Sequence, residues 1–426
     1  MNKIIHPKIN IAGNIPIPGD KSITHRAVIF GAIAKGITEI RGGLDSADCR
    51  ATIACFRAMG VDFEIGENIL RVEGVGLRGL KSPAGILDVG NSGTTMRLLA
   101  GLLAGAGVSA ILDGDESIRA RPMARIAEPL AAMGADISAI GGLAPITIHP
   151  APQLAGIDYI MPNPSAQVKS AILLAGLNAH GFTRITEIAP GISRNHTEKM
   201  LAQFGADIDI SDNIITLCPP KNLIRQNLEI PGDISAAAFF IALGILAGDL
   251  VLENIGINPT RRGIVDILAK MGGGIEIREK NTPDEGEPIA DIRAFAAGRP
   301  LCPIDIAPDQ TARIIDEIPI LALCACFAPG ASIIRGAAEL RHKESDRIRA
   351  ICELNKMGAK IAETPDGLEI CGIQKLHGAT VDSHNDHRIA MMLSIAAALA
   401  DSPTTILHAD CVNTSFPSFF HILDCL

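Results

Sequence analysis

"LAAMGADISAI", residues 130 to 140, decides the architecture, because close variants of it recur along the chain. They are "FRAMGVDFEI", "LAQFGADIDI", "LAKMGGGIEI" and "LNKMGAKIAE", and the shared glycines are Gly60, Gly134, Gly205, Gly272 and Gly358. The intervals are 74, 71, 67 and 86 residues. Each copy predicts an amphipathic helix that stops at a C-cap glycine and is followed at once by an alternating strand. A second phrase keeps the same interval: a polar start leads into an Ala-rich apolar helix that mostly closes on glycine. It reads "KSITHRAVIFGAIAKG", "NSGTTMRLLAGLLAGAG", "SAQVKSAILLAGLNAHG", "DISAAAFFIALGILAGD", "DEIPILALCACFAPG" and "DHRIAMMLSIAAALAD", starting at residues 21, 91, 165, 233, 316 and 386. Six units of roughly 70 residues follow, each with two helices and several short strands. The longest interval holds "EKNTPDEGEPIAD", a polar insertion that accounts for its excess.

The 426 residues exceed what one ordinary core organises, and 47 % apolar with 20 % charged residues predicts well-packed domains rather than disorder. One tyrosine and no tryptophan leave Ala, Ile, Leu and Val to build the core, with little to stack on bases. A net charge of -9 argues against a nucleic-acid partner and requires any anionic ligand to be met by a local cluster of cations. The ten cysteines include no C-x-x-C pair; Cys324 and Cys326 fall in an apolar helical run and read as buried thiols, which fits a reducing cytoplasm. Charge-free runs from Leu98 to Leu112 and from Ile318 to Ile334, 15 and 17 residues long, fall short of a bilayer span and weigh against a repeat-built membrane transporter. "MNKIIHPKINIAGNIPIPG" is broken by Pro and Gly before any signal-like stretch develops. Helices buried on all sides and flanked by strands point to helices inside and sheets outside, and six units grouped three and three make two such domains.

An Ala-rich buried helix offers polar atoms chiefly at its ends, and its first turn carries unpaired N–H groups and about half a positive charge. The unusual side chains sit at those starts. "PGDKSITHRA" places Lys21 and Ser22 there, with Arg26 one turn on; the nucleotide-loop pattern needs glycine before the lysine, and Asp20 stands in that position. Asn91, Ser92, Gly93 and Thr94 open the second helix, where Gly93 permits close ligand approach. Ser165 and Gln167 open the third, Asp316 and Glu317 the fifth, and Asp386, His387 and Arg388 the sixth; the fourth, at Asp233, offers only a cap. Arg121 in "IRARPMARI" precedes a proline in a loop. "LRHKESDRIR", taken alone, favours a solvated helix with Lys343 and Arg347 at i and i+4, but the preceding apolar strand "ASIIRGAAEL" and its equal distance from helix starts five and six shift the reading toward the site. His384 and His387 have no Cys or Glu pair to complete a metal site. Seven cations, Lys21, Arg26, Arg121, Arg194, Lys343, Arg347 and Arg388, suit two small multiply charged substrates better than one phosphate.

These stretches, "PGDKSITHRA", "GNSGTTMR", "RARPM", "SAQVKSAILLAGL", "IDEIPILAL", "RHKESDRIR" and "NDHRIAM", resemble in order the signatures of the 5-enolpyruvylshikimate-3-phosphate synthases. The resemblance implies an α/β, two-domain inside-out barrel of six βαβαββ repeats with the active site in the interdomain cleft. One domain would comprise residues 1–18 with 232–426 and the other 19–231. It implies transfer of the enolpyruvyl group of phosphoenolpyruvate to shikimate 3-phosphate by a cytoplasmic monomer, without metal or organic cofactor, nucleic acid or membrane. Lys21, Ser22, Arg26, Ser165, Ala166, Gln167, Arg194, Asp316 and Lys343 would bind shikimate 3-phosphate. Lys21, Gly93, Arg121, Gln167, Arg347 and Arg388 would surround phosphoenolpyruvate, with Asp316, Glu344 and Lys21 catalytic. "SAQ", Arg194 and Thr414 resemble the second-class branch of the family, which tends to be less sensitive to glyphosate, although Gly93 is retained without an added methyl. The sister enzymes acting on UDP-N-acetylglucosamine carry Lys-Asn in the first motif and a loop cysteine near Arg121; here Ser22 follows Lys21 and no cysteine lies between Cys55 and Cys218.

Overall fold

The computed structural model describes residues 1–188, 192–281, 286–373 and 375–426. The chain forms two compact units, Met1–Pro18 with Pro231–Thr282 and Pro288–Leu426, and Gly19–Ile230 with Pro283–Glu287. Of the polar insertion, residues 282–285 lie outside the described residues.

The five glycines of the repeated phrase all take a positive φ, from 82° to 94°. That backbone region is open to glycine because it lacks a Cβ. Four of them close the helices Ala47–Ala58, Ala124–Ala132, His196–Gln203 and Gly263–Lys270. Gly358 instead closes a 3-10 turn, Cys352–Met357, that continues the short helix Arg347–Ile351. Strands follow each, as in Asp62–Gly66 and Asp207–Ser211, whose residues are mostly exposed.

Within the Gly19–Ile230 unit the third repeat shows the plan. Strands Asp158–Met161 and Thr183–Glu187 run parallel on either side of helix Ala166–Gly176 in the chain. The hairpin Asp207–Ser211 and Ile214–Cys218 then pairs antiparallel with the second strand. The second repeat has the same order around helix Gly93–Ala106. The first departs from it: strand Ile11–Ile15, which precedes helix Lys21–Ile33, pairs with Gly248–Gly256 in the other unit's sheet. Its place beside Ala34–Arg41 is taken by Leu223–Ile224 and Asn227–Glu229. The units therefore exchange a first strand where the chain passes from one to the other. In the sixth repeat Thr380–Asp382 and Thr404–Leu407 are parallel, and the N-terminal strand Lys3–Ile5 covers the edge that a hairpin covers elsewhere. Among the described residues there are six separate sheets and no closed barrel.

The helices lie inside. Lys21–Ile33, Gly93–Ala106 and Ala166–Gly176 are buried along most of their length in one apolar core, built on Phe30, Leu99, Leu103 and Leu173. Ile234–Ala247, Ile318–Cys326 and His387–Ala398 do the same in the other, with Phe239, Phe240, Phe416 and Phe419 in contact. The apolar run from Leu98 ends its helix at Ala106, where Gly107 turns left-handed, and the run from Ile318 ends at Cys326. Cys324 and Cys326 are fully buried. Among the described residues no helix is long and apolar enough to cross a membrane.

Two glycines decide how closely helices Gly93–Ala106 and Ala166–Gly176 approach. A Cβ on Gly101 would stand 2.1 Å from the Ala171 carbonyl oxygen, and one on Gly105 2.5 Å from that of Ala175. Backbone therefore meets backbone, and the two polar starts lie about two turns beyond. Gly101→Val should cost about 1–3 kcal/mol through overpacking, read as a lower urea midpoint; an unchanged midpoint would show that the helices separate freely.

Candidate active site

In the Gly19–Ile230 unit the three buried helices present their starts with side-chain caps from Asp20, Ser92 and Ser165. A line of hydroxyls joins the first two starts: His25 Nδ1 meets Thr52 Oγ1 at 2.7 Å, Thr52 meets Thr95 at 2.7 Å, and Thr95 donates to Ser92 at 2.7 Å. Lys21 Nζ lies 3.0 Å from Asp48 Oδ2. Arg26, buried, donates from Nε to Thr197 Oγ1 at 2.7 Å, from Nη2 to Ser170 Oγ at 2.9 Å and from Nη1 to the Ser22 carbonyl at 3.0 Å. Every one of these acceptors is neutral. Arg26 is lowered to about 10, chiefly by burial, with the charges of Glu198 and Asp20 opposing and the nearby Arg194 guanidinium adding to the lowering. Arg194 itself is half-buried.

Gln167 ties the second and third starts together, accepting from Arg97 Nη1 at 2.6 Å and donating to Thr94 at 3.3 Å. Arg121 donates to Asn91 Oδ1 at 2.9 Å and Ser117 Oγ at 3.1 Å. A Cβ on Gly93 would sit 2.9 Å from Arg97 Nη1 and 3.1 Å from Arg121 Nη1, so the glycine lets two guanidinium groups close over a helix start. Ser165 Oγ accepts from the Val168 N–H, and the Ala166 carbonyl from Ser170 Oγ. The structure thus brings Gly93, Arg121 and Gln167 together around Arg97, and Ser22, Ala166 and Arg194 around Arg26. Sequence reasoning missed Arg97 as a site residue, although it lies inside the quoted "GNSGTTMR". It also missed Ser193, whose buried Oγ has no hydrogen-bond partner among the described residues.

In the other unit Arg347 is the hub. It is 1 % exposed, against the solvated helix that "LRHKESDRIR" favours when taken alone and in line with its placing among the site cations: Ala338–His342 is a 3-10 turn, and Arg347 opens a five-residue helix with its side chain inward. Its Nε donates to Asp386 Oδ2 at 2.7 Å, Nη2 bonds Glu344 Oε2, and Nη1 lies 3.4 Å from Asp316 Oδ1. Burial alone would lower this guanidinium, but the three carboxylates outweigh it and hold the group above its ordinary range. Arg388 reaches the same Asp316, 3.6 Å from Oδ2 and 3.3 Å from the carbonyl oxygen. Asp316 and Glu344 therefore share one guanidinium, with Arg388 on the former. Lys343 is half-buried, 3.5 Å from Glu339. The fourth start is more than a cap: Arg261 donates to Ser235 Oγ at 2.5 Å, and that hydroxyl bonds Glu317, the neighbour of Asp316. Nothing in the "DISAAAFF" string announces this, because Arg261 is 26 residues further on.

One unit thus gathers cations at its helix starts, and the other sets two carboxylates on one guanidinium. The family model for EPSP synthase (3-phosphoshikimate 1-carboxyvinyltransferase) matches residues 5–423. The chain belongs to the EPSP synthase family. A relative named 3-phosphoshikimate 1-carboxyvinyltransferase in Synechococcus is 48 % identical over 98 % of this chain and 95 % of its own length. One of the same name in Bacillus subtilis is 47 % identical over 97 % and 96 %. The solved EPSP synthase of Acinetobacter baumannii superposes with a TM-score of 0.88 at 43 % identity, over 100 % of this chain and 98 % of that one. The enolpyruvyl transferase NikO of Streptomyces tendae, at 20 % identity and a TM-score of 0.79 over 99 % and 96 % of the two chains, shares the fold.

The hydroxyl line has a consequence for this EPSP synthase family member. Burial lowers His25 from 6.5 to about 3, assisted by Lys21 and Arg26 and opposed by Asp48. Between those values the unfolded chain binds a proton that the folded chain refuses. Stability is thus intact above pH 6.5 and falls as pH drops below it, by about 1.4 kcal/mol per pH unit for this one group. His25→Asn should flatten the pH dependence of the urea unfolding free energy between pH 6 and 4 by about one proton's worth; an unaltered slope would show that His25 titrates normally.

Proposed function

We propose that the two sets of residues act on one pair of substrates, with the roles that the family resemblance assigns. The chain transfers the enolpyruvyl group of phosphoenolpyruvate to the 5-hydroxyl of shikimate 3-phosphate and releases phosphate. Lys21, Ser22, Arg26, Ser165, Ala166, Gln167 and Arg194 hold shikimate 3-phosphate, with Asp316 and Lys343 at the ring end that reacts. Lys21, Gly93, Arg121, Gln167, Arg347 and Arg388 hold phosphoenolpyruvate. The observation that carries the reading is the sharing of Arg347 by Asp316 and Glu344. Addition of an alcohol to an enol ether requires a base at the hydroxyl and an acid at the methylene carbon, and elimination of phosphate requires the same two groups reversed. Asp316 takes the hydroxyl proton as the C–O bond forms. Glu344 gives a proton to the methylene, which becomes the methyl group of a tetrahedral intermediate. Loss of that proton back to Glu344 restores the vinyl group as the C–O bond to phosphate breaks, and Arg347, Arg388, Arg121 and Lys21 stabilise the charge that leaves.

The enzyme acts as a monomer in the cytoplasm, and the groups named suffice without a metal or organic cofactor. The deciding assay is phosphate release from phosphoenolpyruvate with shikimate 3-phosphate as acceptor and UDP-N-acetylglucosamine as control. Release with the first and none with the second is expected; the reverse would move the chain to the sister activity. Glu344→Gln and Asp316→Asn should each lower kcat by about 10²- to 10⁴-fold, with substrate Kd values within a few-fold of the parent by calorimetry. Near-normal turnover in either variant would remove that residue from proton transfer.

A further inference from the structure

The third repeat of the Gly19–Ile230 unit buries an ion cluster that the reaction itself does not use. Lys169, on helix Ala166–Gly176, has its Nζ 2.8 Å from Glu187 Oε2 and 2.6 Å from Glu198 Oε1, and all three side chains are at most 1 % exposed. Desolvating such ions costs several kcal/mol each, and apolar residues of like volume commonly serve a core as well or better. Their placement explains what stability does not. Glu187 ends strand Thr183–Glu187, and its Oε1 accepts the Ser193 N–H at 3.0 Å. Lys169 Nζ donates to the Ser193 carbonyl at 3.3 Å. Both backbone groups of the residue before Arg194 are therefore held by one ion pair. The neighbours of the other members, Ser170 and Thr197, are the two hydroxyls that hold Arg26. Two carboxylates on one ammonium leave a net negative charge beside two guanidinium groups that repel each other.

We infer that Lys169, Glu187 and Glu198 are positioning residues: they clamp Ser193 so that Arg194 is held beside Arg26, and offset the repulsion between those two cations before the anionic substrate arrives. The inference rests on the reading that Arg26 and Arg194 grip shikimate 3-phosphate.

Glu187→Gln conserves volume and leaves Lys169 balanced by Glu198. Loss of this charge-assisted clamp should raise KM for shikimate 3-phosphate about tenfold, the scale of one such hydrogen bond. KM for phosphoenolpyruvate and kcat should stay within about twofold, since that ligand's residues lie outside the clamp. Added to Arg194→Ala, Glu187→Gln should cause no further loss, because it acts through that arginine. Should Glu187→Gln fail to fold, Glu198→Gln leaves a neutral Lys169–Glu187 pair and is read in the same way against Arg26→Ala. Additive losses in the cycle, or equal rises in both KM values with a lowered Tm, would reduce the cluster to a structural role. Wild-type turnover with additive losses removes this inference alone; no wild-type turnover removes the functional reading and the inference with it.

Discussion

Burying a helix on every side is the constraint from which the rest of this molecule follows. Gly93–Ala106 and Ile234–Ala247 are buried over most of their length, so their flanks are mainly Ala, Leu, Ile, Gly and Phe, and polar side chains gather toward the starts. The first-turn N–H groups cannot go unpaired inside a core, and here Asp20, Ser92, Ser165, Asp233 and Asp386 satisfy some of them. The remainder, with the partial positive charge of each start, favour negative charge nearby. Site and core are thus consequences of one packing decision, and Gly101 couples them by fixing how near the second and third starts lie.

The two units use this device in different electrostatic ways. Arg26 is held entirely through hydroxyl and carbonyl oxygens, so its charge is not neutralised by a bonded carboxylate. Arg347 already faces three carboxylates. A guanidinium so occupied keeps its carboxylates ordered and at a fixed separation from each other. In the proposed function the Gly19–Ile230 cations are thus open to anions, while the carboxylates around Arg347 are ordered for proton transfer. A net charge of -9 for the whole chain is compatible with anionic substrates because the cations that matter are sheltered locally.

Much of this was legible in the sequence where the physics is local. A C-cap glycine must follow its helix at once, so Gly60, Gly134, Gly205 and Gly272 marked four helix ends and the strands beyond them. The N-caps were legible for the same reason. Features that depend on distant pairing were not. Nothing near Ile11–Ile15 tells that it joins Gly248–Gly256 rather than the repeat it precedes in the chain, since both sheets offer an equivalent parallel edge. The i and i+4 pattern of Arg347 is by itself that of an exposed helix, and its partners Asp316 and Asp386, 31 and 39 residues away, are not visible in that local pattern.

The same limit applies to charge inside the core. Lys169 stands in "SAQVKSAILL" amid apolar neighbours, and composition alone would turn its ammonium outward along the helix. Its partners Glu187 and Glu198 come from a strand end and a separate helix, so no periodicity links the three. A buried cation in an otherwise apolar helix is nevertheless a signal in itself, because the cost of desolvation has to be met by specific partners. Helix positions four residues apart share a face, and Lys169 falls one turn after Ser165. A charge at that spacing behind a ligand-facing start is placed to organise what the start binds rather than to bind it, which is the division of labour that the Ser193 clamp displays.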